Sequence, residues 1–250
     1  MMHEREQSDP LIVPVKPANK AGATAAEPVE GSGGTKRNAS QHHTARARSR
    51  DAVSQAQSRI REVVERNPQG KLTTLLHHVT VETLRSAFFG LKKKAAAGVD
   101  QVTWGDYAAD LERNLTDLHD RVHRGAYRAL PSRRVYIPKA DGRQRPIAVA
   151  AIEDKIVQRA VTALLNAIYE EDFLGFSYGF RPGRGAHDAM DALCVGIHSK
   201  KVSWIMDADI RSFFDEISQE RLIRLLKRRI GDPRIIRLIQ KWLKAGVLED

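Results

Sequence analysis

The run Trp204 to Ile217, WIMDADIRSFFDEI, constrains the fold of this chain more than any other. Trp204, Met206, Ala208 and Ile210 alternate with Ser203, Ile205, Asp207 and Asp209, and a period of two predicts a strand with one dry face. Asp207 and Asp209 then project from the same side, about 7 Å apart at Cα by the strand rise. Carboxylates beside a core strand are costly to bury, so a divalent cation, basic partners or solvent must compensate them.

The rest of the chain mixes helical and strand periods, which places the fold in the α+β or α/β class. Met1 to about Gln57 is rich in Ala, Ser, Thr, Gly, Pro and charge without a sustained apolar period, and reads as a disordered basic tail. Helical patterning begins near Ser58 with Ile60, Val63 and Val64, and continues through Leu72, Leu75, Leu76 and Val79. Thr80 is a candidate N-cap for Thr83, Leu84, Ala87, Phe88 and Leu91, and a second amphipathic stretch runs from Trp104 to about Val122. Arg134 to Ile152 changes to strand alternation around Asp141-Gly142, a strong hairpin signal. Ile152, Ile156, Ala160, Leu164 and Ile168 predict a helix to about Tyr169, and Ala186, Met190, Leu193 and Ile197 another. Ser218 can cap a helix ending before Gly231, with Leu222, Leu225 and Leu226 as its buried stripe. Asp232-Pro233 supplies a cap and an N1 proline for the next.

Charge is unevenly placed. Tyr127 to Arg145 holds six basic residues and one acidic, Arg221 to Lys244 nine and one, whereas Pro146 to Glu220 holds seven basic against twelve acidic. Basic flanks around an acidic centre suit a polyanion laid across a metal site, although solvated basic helix faces give the same count. The single cysteine, Cys194, excludes an internal disulfide and a multi-cysteine zinc site. The first residues lack an apolar h-region, and no stretch approaches the roughly 20 apolar residues of a membrane span, so a cytoplasmic protein without membrane contact is expected.

Three constellations carry candidate chemistry. Lys139 and Arg145 stand at the two feet of the hairpin turn, where a compact ammonium and a bidentate fork can close on a triphosphate; ordinary solvated charges fit the spacing equally well. In SYGFRPGRGAHDA, glycines 179, 183 and 185 surround Arg181 and Arg184, permitting close phosphate contact, or else an arginine-decorated turn heading a helix. No GK[ST] follows, so it is not a Walker loop. His187 and Asp188 are adjacent on a helix and point apart, which favours a structural role. The Asp207/Asp209 pair suits Mg²⁺, which takes oxygen ligands and binds through one or two carboxylates plus substrate phosphates. Phe213 and Phe214 beside it either pack a core or underlie an incoming sugar.

Together, RRVYIPKADGRQRPIAV, SYGFRPGRGAHDA and WIMDADIRSFFDEI resemble, in order and spacing, the reverse transcriptase/maturase proteins encoded by bacterial group II introns. NPQGKLTTLLHHVT and AAAGVDQVTW resemble that family's N-terminal extension, so the likeness covers about Ser58 to Asp250. The resemblance implies an α+β right-hand polymerase: a tail over 1–57, a helical extension over 58–115, and fingers with the first part of the palm over 116–250. It implies Asp209 as catalytic aspartate and Mg²⁺ ligand, aided by the Ile210 carbonyl, with Asp207 as neighbouring support. It implies Lys139 and Arg145 on the triphosphate, Phe214 beneath the sugar to disfavour ribonucleotides, and Arg181 and Arg184 on nucleic acid. The implied partners are intron RNA as template and primer, dNTPs, and a DNA target for the full-length protein.

One departure matters. The family's Tyr-x-Asp-Asp turn does not occur in these 250 residues, which run to GVLED. One family aspartate cannot hold two metals, so the chain by itself is expected to lack polymerase activity. The alternative is a non-catalytic RNA-binding module that helps its intron fold and splice. An RNA-templated RNA polymerase shares the palm logic, but GFRPGRG argues for the intron family.

Overall fold

The structure, a computed structural model, describes residues 36–138, 142–200, 202–211 and 213–248, with the side chains of 36–48 and of Phe214 and Asp215 left aside. Lys139, the Ala140-Asp141 turn and residues 1–35 of the expected tail lie outside the described residues. The architecture is mixed α and β: a helical body carrying a small sheet. No helix among the described residues is long and apolar enough to cross a membrane.

Helix α1 (Lys36–Arg66) corrects the tail boundary, since residues 36–57 are helical rather than disordered. Its alanines and long basic side chains are good helix formers, and Ala56, Ile60 and Val64, spaced by four, are buried. Helix α1 packs on α2 (Val81–Phe89) and on the long α5 (Ile152–Asp172). Between α1 and α2 the expected helical continuation gives way to a single 3-10 turn, Leu76–His78. Leu72 bridges in parallel to Ile230, which holds the backbone extended there while Leu75, Leu76 and Val79 still reach the core. Thr80 caps α2 as expected: its hydroxyl accepts from the Thr83 amide at 3.2 Å, and the Thr83 hydroxyl accepts from the Thr80 amide at 2.8 Å.

The stretch from Trp104 is two helices, α3 (Trp104–Ala109) and α4 (Leu111–His123), broken at Asp110 with φ −130° and ψ 50°. Asn114 Nδ2 donates to the Tyr107 carbonyl across the break at 3.1 Å. Before it, the Ala95–Gly98 loop lies directly on the backbone of Ala151: a Cβ on Gly98 would fall 2.5 Å from the Ala151 Cα. Arg133 and Lys155 fasten that loop by donating to the carbonyls of Ala97 and Ala96 at 3.0 and 2.7 Å.

The predicted hairpin forms. Strand β1 (Ser132–Pro138) pairs antiparallel with β2 (Gln144–Val149), from Arg133 opposite Val149 to Pro138 opposite Gln144. Gly142 sits at φ +80°, in the left-handed region that glycine adopts at little cost. A short β3 (Val247–Leu248) joins the far side of β1 in parallel, giving the order β2-β1-β3.

Helix α6 (Ala186–Ser199) and the single turn α7 (Phe213–Glu216) precede α8 (Gln219–Arg229) and α9 (Pro233–Ala245). Both closing caps are as expected: Ser218 accepts from the Arg221 amide at 3.3 Å and Asp232 from the Arg234 amide at 2.9 Å. The buried position on α8 is Ile223, however, and Leu225 is exposed.

One network ties the helical body to α9. Trp242 Nε1 donates to the Tyr127 hydroxyl at 2.9 Å, and that hydroxyl donates in turn to the buried Asp154 carboxylate, which also accepts from the Leu130 amide at 3.1 Å. Burial pushes the Asp154 carboxyl above its ordinary range against these two bonds.

Candidate nucleic-acid and metal site

The expected strand through Asp207 and Asp209 does not form. Residues 202–210 carry neither helix nor sheet pairing, and Trp204 and Met206 are 92% and 89% exposed. A two-period pattern prescribes which side chains share a face, but a strand is held by its neighbours' hydrogen bonds, and no described strand lies alongside this segment. Asp209 is therefore an exposed carboxylate, with Ile210 exposed beside it. Among the described residues no three His, Cys, Asp or Glu side chains converge on a point that could hold a metal. For Mg²⁺ the donor set is right in kind, a carboxylate and a backbone carbonyl, and short in number for an ion that takes six oxygens.

Arg145 is placed by the hairpin. It lies opposite Ile137 near the turn end of the ladder, one position from the last pair, and is exposed. Directly paired residues share a face, so Arg145 and Ile147 stand with Ile137, Val135 and Arg133 on one side of the ribbon. Lys139 lies outside the described residues, as does the Phe214 side chain. No hydrogen bond or ion pair among the described residues joins Arg145, Asp209 and Arg184.

In the glycine-rich loop Arg181 is held by partners within the chain. This side chain is buried and grips Glu170 with Nε and Nη2, the latter at 2.9 Å, while Nη1 donates to the carbonyls of Leu174 and Ser177 at 3.0 and 2.9 Å. Its guanidinium lies 4.9 Å from the centre of the Phe173 ring. With those donors engaged it braces the turn leaving α5. Arg184 is half-buried, donates to the carbonyls of Gly175 and Ser177, and sits 5.4 Å from the Tyr178 ring centre. Asp188 plays the structural part expected of it, accepting from the Gly185 amide at 2.6 Å at the head of α6.

Breaking the Arg181 clamp leaves Glu170 without its counter-charge, and Arg181→Ala is expected to cost about 3 kcal/mol. Urea unfolding measures the loss, and a midpoint matching the unsubstituted chain would return Arg181 to a role on nucleic acid.

The expected stripe of α6 is not covered. No residue of that helix is buried, and Met190, Leu193 and Val195 are exposed together with Phe173, Leu174, Phe176 and Phe180. The described clefts lie elsewhere. One of about 430 Å³ runs between α8 and α9, lined by Ile223, Arg224, Lys227, Leu243 and Lys244. Another of about 270 Å³ has Trp104 and Leu91 with Lys92, Lys155 and Arg159. Nothing in the sequence marks either cleft; the residues of the second come from four separate stretches of sequence that only packing brings together.

Residues 137–249 match the family described as reverse transcriptase (RNA-dependent DNA polymerase). The chain is 34% identical over 204 residues to protein YkfC of Escherichia coli (strain K12), covering 79% of this chain and 54% of that protein. It is 32% identical over 197 residues to the group II intron-encoded protein LtrA of Lactococcus lactis subsp. cremoris, covering 78% of this chain and 31% of LtrA. It is 33% identical over 135 residues to a putative COX1/OXI3 intron 2 protein of Saccharomyces cerevisiae, covering 54% of this chain and 16% of that protein. The chain thus spans about half the length of the first of these relatives and less of the others.

Proposed function

The chain belongs to the group II intron-encoded reverse transcriptase/maturase family, and we propose that it supplies the fingers and first part of the palm of an RNA-directed DNA polymerase. On this reading 58–115 is the helical extension and 116–250 the polymerase portion. The observation that carries the reading is the hairpin, which sets Arg145 on an exposed two-stranded ribbon within the matched span. Such a ribbon can fold over a nucleotide, with Lys139 and Arg145 on its triphosphate and Phe214 excluding a 2′-hydroxyl. Arg184 and the exposed backbone of the 179–185 loop would follow the nucleic acid, with Arg181 as their brace. Asp209 and the Ile210 carbonyl would contact Mg²⁺ together with the nucleotide's phosphates, intron RNA and a DNA primer occupying the adjoining surface. Because Asp209 has no converging carboxylates among the described residues, the chain by itself holds the ion weakly and does not polymerise.

The test is photocrosslinking of a 4-thio-dTTP to the chain on an RNA template with a DNA primer and Mg²⁺. Label is expected within 139–145, weakened about tenfold by Arg145→Ala and competed better by dTTP than by its ribonucleotide. Label that is indifferent to Arg145→Ala sinks the reading. Primer extension in the same mixtures is expected to be undetectable; robust incorporation abolished by Asp209→Ala would show instead that the metal site is complete. The second reading, an RNA-binding module without chemistry, is favoured by the exposed basic residues of α8 and α9. Salt-dependent binding to structured intron RNA without nucleotide crosslinking would select it.

A further inference from the structure

We propose that the cleft between the C-terminal end of α4, the Gly125–Arg128 loop and α9 is a sequence-independent contact for the phosphodiester backbone of structured RNA, separate from the nucleotide site; the inference rests on the nucleic-acid reading above. The cleft, about 90 Å³, is lined by His123, Arg124, Arg234, Arg237 and Lys241, with no carboxylate in its wall. Arg128 of the adjoining loop acts electrostatically on Lys241 without lining the cleft. Of these cations only Arg234 is neutralised, by the buried Asp232 at 3.1 Å. Arg124 donates to the Asp120 carbonyl, and Lys241 to the carbonyls of Gly125 and Tyr127; among the described residues Arg124, Arg128, Arg237 and Lys241 make no ion pair with a carboxylate.

The plain alternative is that these cations satisfy the carbonyls at the end of α4. That accounts for Arg124 and for two of the three donors of Lys241, and leaves Arg128 and Arg237 unexplained. Like charges gathered at one place repel each other. Burial, then Arg237 and Arg128, hold the Lys241 ammonium below its ordinary range, a repulsion that a bound anion relieves. Of the neighbouring acids, Asp117 on α4 pairs with Arg121, and Asp232 is engaged as above.

Shape favours a polymer over a single phosphate. Arg234, Arg237, Lys241 and Lys244 recur at spacings of three, four and three along α9, which places them on one helical stripe about 15 Å long. A row of that length meets several phosphates of one strand. Such contacts position a duplex without reading its bases.

The test is filter binding of an RNA hairpin by the full chain between 50 and 300 mM salt. The variant Arg128→Gln/Arg237→Gln/Lys244→Gln keeps the two cations that bond the backbone. It is expected to bind about tenfold or more weakly and to lower the slope of log affinity against log salt by about 3, since each of the three phosphate contacts contributes roughly 0.9. Inorganic phosphate and free triphosphate at equal charge should compete poorly, because neither spans the stripe; full competition by either would make this a small-anion site and overturn the proposal. Arg61→Gln/Arg113→Gln/Arg221→Gln, which removes the same charge elsewhere, should cost far less, and an equal loss would reduce the effect to net charge. RNA should also protect Lys241 and Lys244 from acetylation in the unsubstituted chain, a readout independent of how the variant folds. Absence of that protection, or of any salt-dependent RNA affinity, would overturn the inference. Nucleotide crosslinking at 139–145 is expected to survive the triple substitution, so this contact and the nucleotide site fail separately.

Discussion

Replacing Asp232 by alanine should cost about 3–5 kcal/mol of folding stability, the sum of a lost N-cap and two orphaned amides. The side chain is wholly buried, and one oxygen accepts from the amides of Leu75 and Leu76 at 2.9 and 3.0 Å, more than 150 residues away in sequence. The other accepts from the Arg234 amide and from its Nε at 3.2 Å. One carboxylate therefore caps α9, ends the extended approach to the 3-10 turn and pairs with an arginine. Removing it leaves donors buried without water, the expensive case. Urea unfolding reads the effect, and a loss below about 1 kcal/mol would mean that the turn and helix can part and rehydrate.

The same residue sets a pH dependence. Burial alone would raise its carboxyl, but the bonds from Arg234 and from the Leu76 and Leu75 amides outweigh that and bring it down to about 2. A carboxyl depressed in the folded state contributes stability that is complete above its unfolded value, near 4, and is lost as pH falls from about 5 towards 2. For a shift of this size the contribution is roughly 2 kcal/mol. Asp154 acts with the opposite sign: its carboxyl is raised, so its charge weakens the fold as pH climbs through the ordinary carboxylate range. Asp232→Asn should remove the acid-side loss that belongs to Asp232 and leave the Asp154 slope in place. An unchanged acid limb in that variant would count against the assignment.

Phe88→Ala is expected to cost about 3–5 kcal/mol, the range for emptying a buried aromatic site. Phe88 is fully buried, stacks on Trp104 at 4.6 Å between ring centres with an interplanar angle of 17°, and touches Phe89 and Tyr107 at 5.4 and 5.7 Å. Trp104 in turn lies beneath the Lys93 ammonium and bonds the Phe88 carbonyl. The cavity would open where α2 and α3 meet and leave the Trp104 ring without its stacking partner. Calorimetry checks it. A loss under about 1 kcal/mol would show that Trp104 and Tyr107 collapse into the space.

Elements whose signals are local were legible. The Thr80, Ser218 and Asp232-Pro233 caps, the hairpin around Asp141-Gly142, and the Ile152 to Ile168 stripe all depend on residues within a few positions of each other, and each forms close to where its pattern places it. The family was legible too, because ordered motifs survive without knowledge of what they pack against. Less was legible where the partner is distant. Leu72 looked helical and instead bridges Ile230, while Arg181, open in the sequence between a phosphate contact and a turn at the head of a helix, clamps Glu170. The α6 stripe predicts a buried face and the Trp204 to Ile210 alternation a strand; among the described residues nothing covers the one or pairs with the other, and neither expectation is met.

By itself, then, the sequence determined the family, the local elements and the residue types at Asp209, Arg145 and the glycine-rich loop, since propensity, capping and motif order are short-range properties. Only the tertiary structure decided that Arg181 grips Glu170, that Asp232 bonds the Leu75 and Leu76 amides beside the apolar contacts of α9, and that Arg124, Arg234, Arg237 and Lys241 share one cleft. Those facts turn on groups far apart in sequence meeting within a few ångströms, where burial and charge act on the neighbour in space.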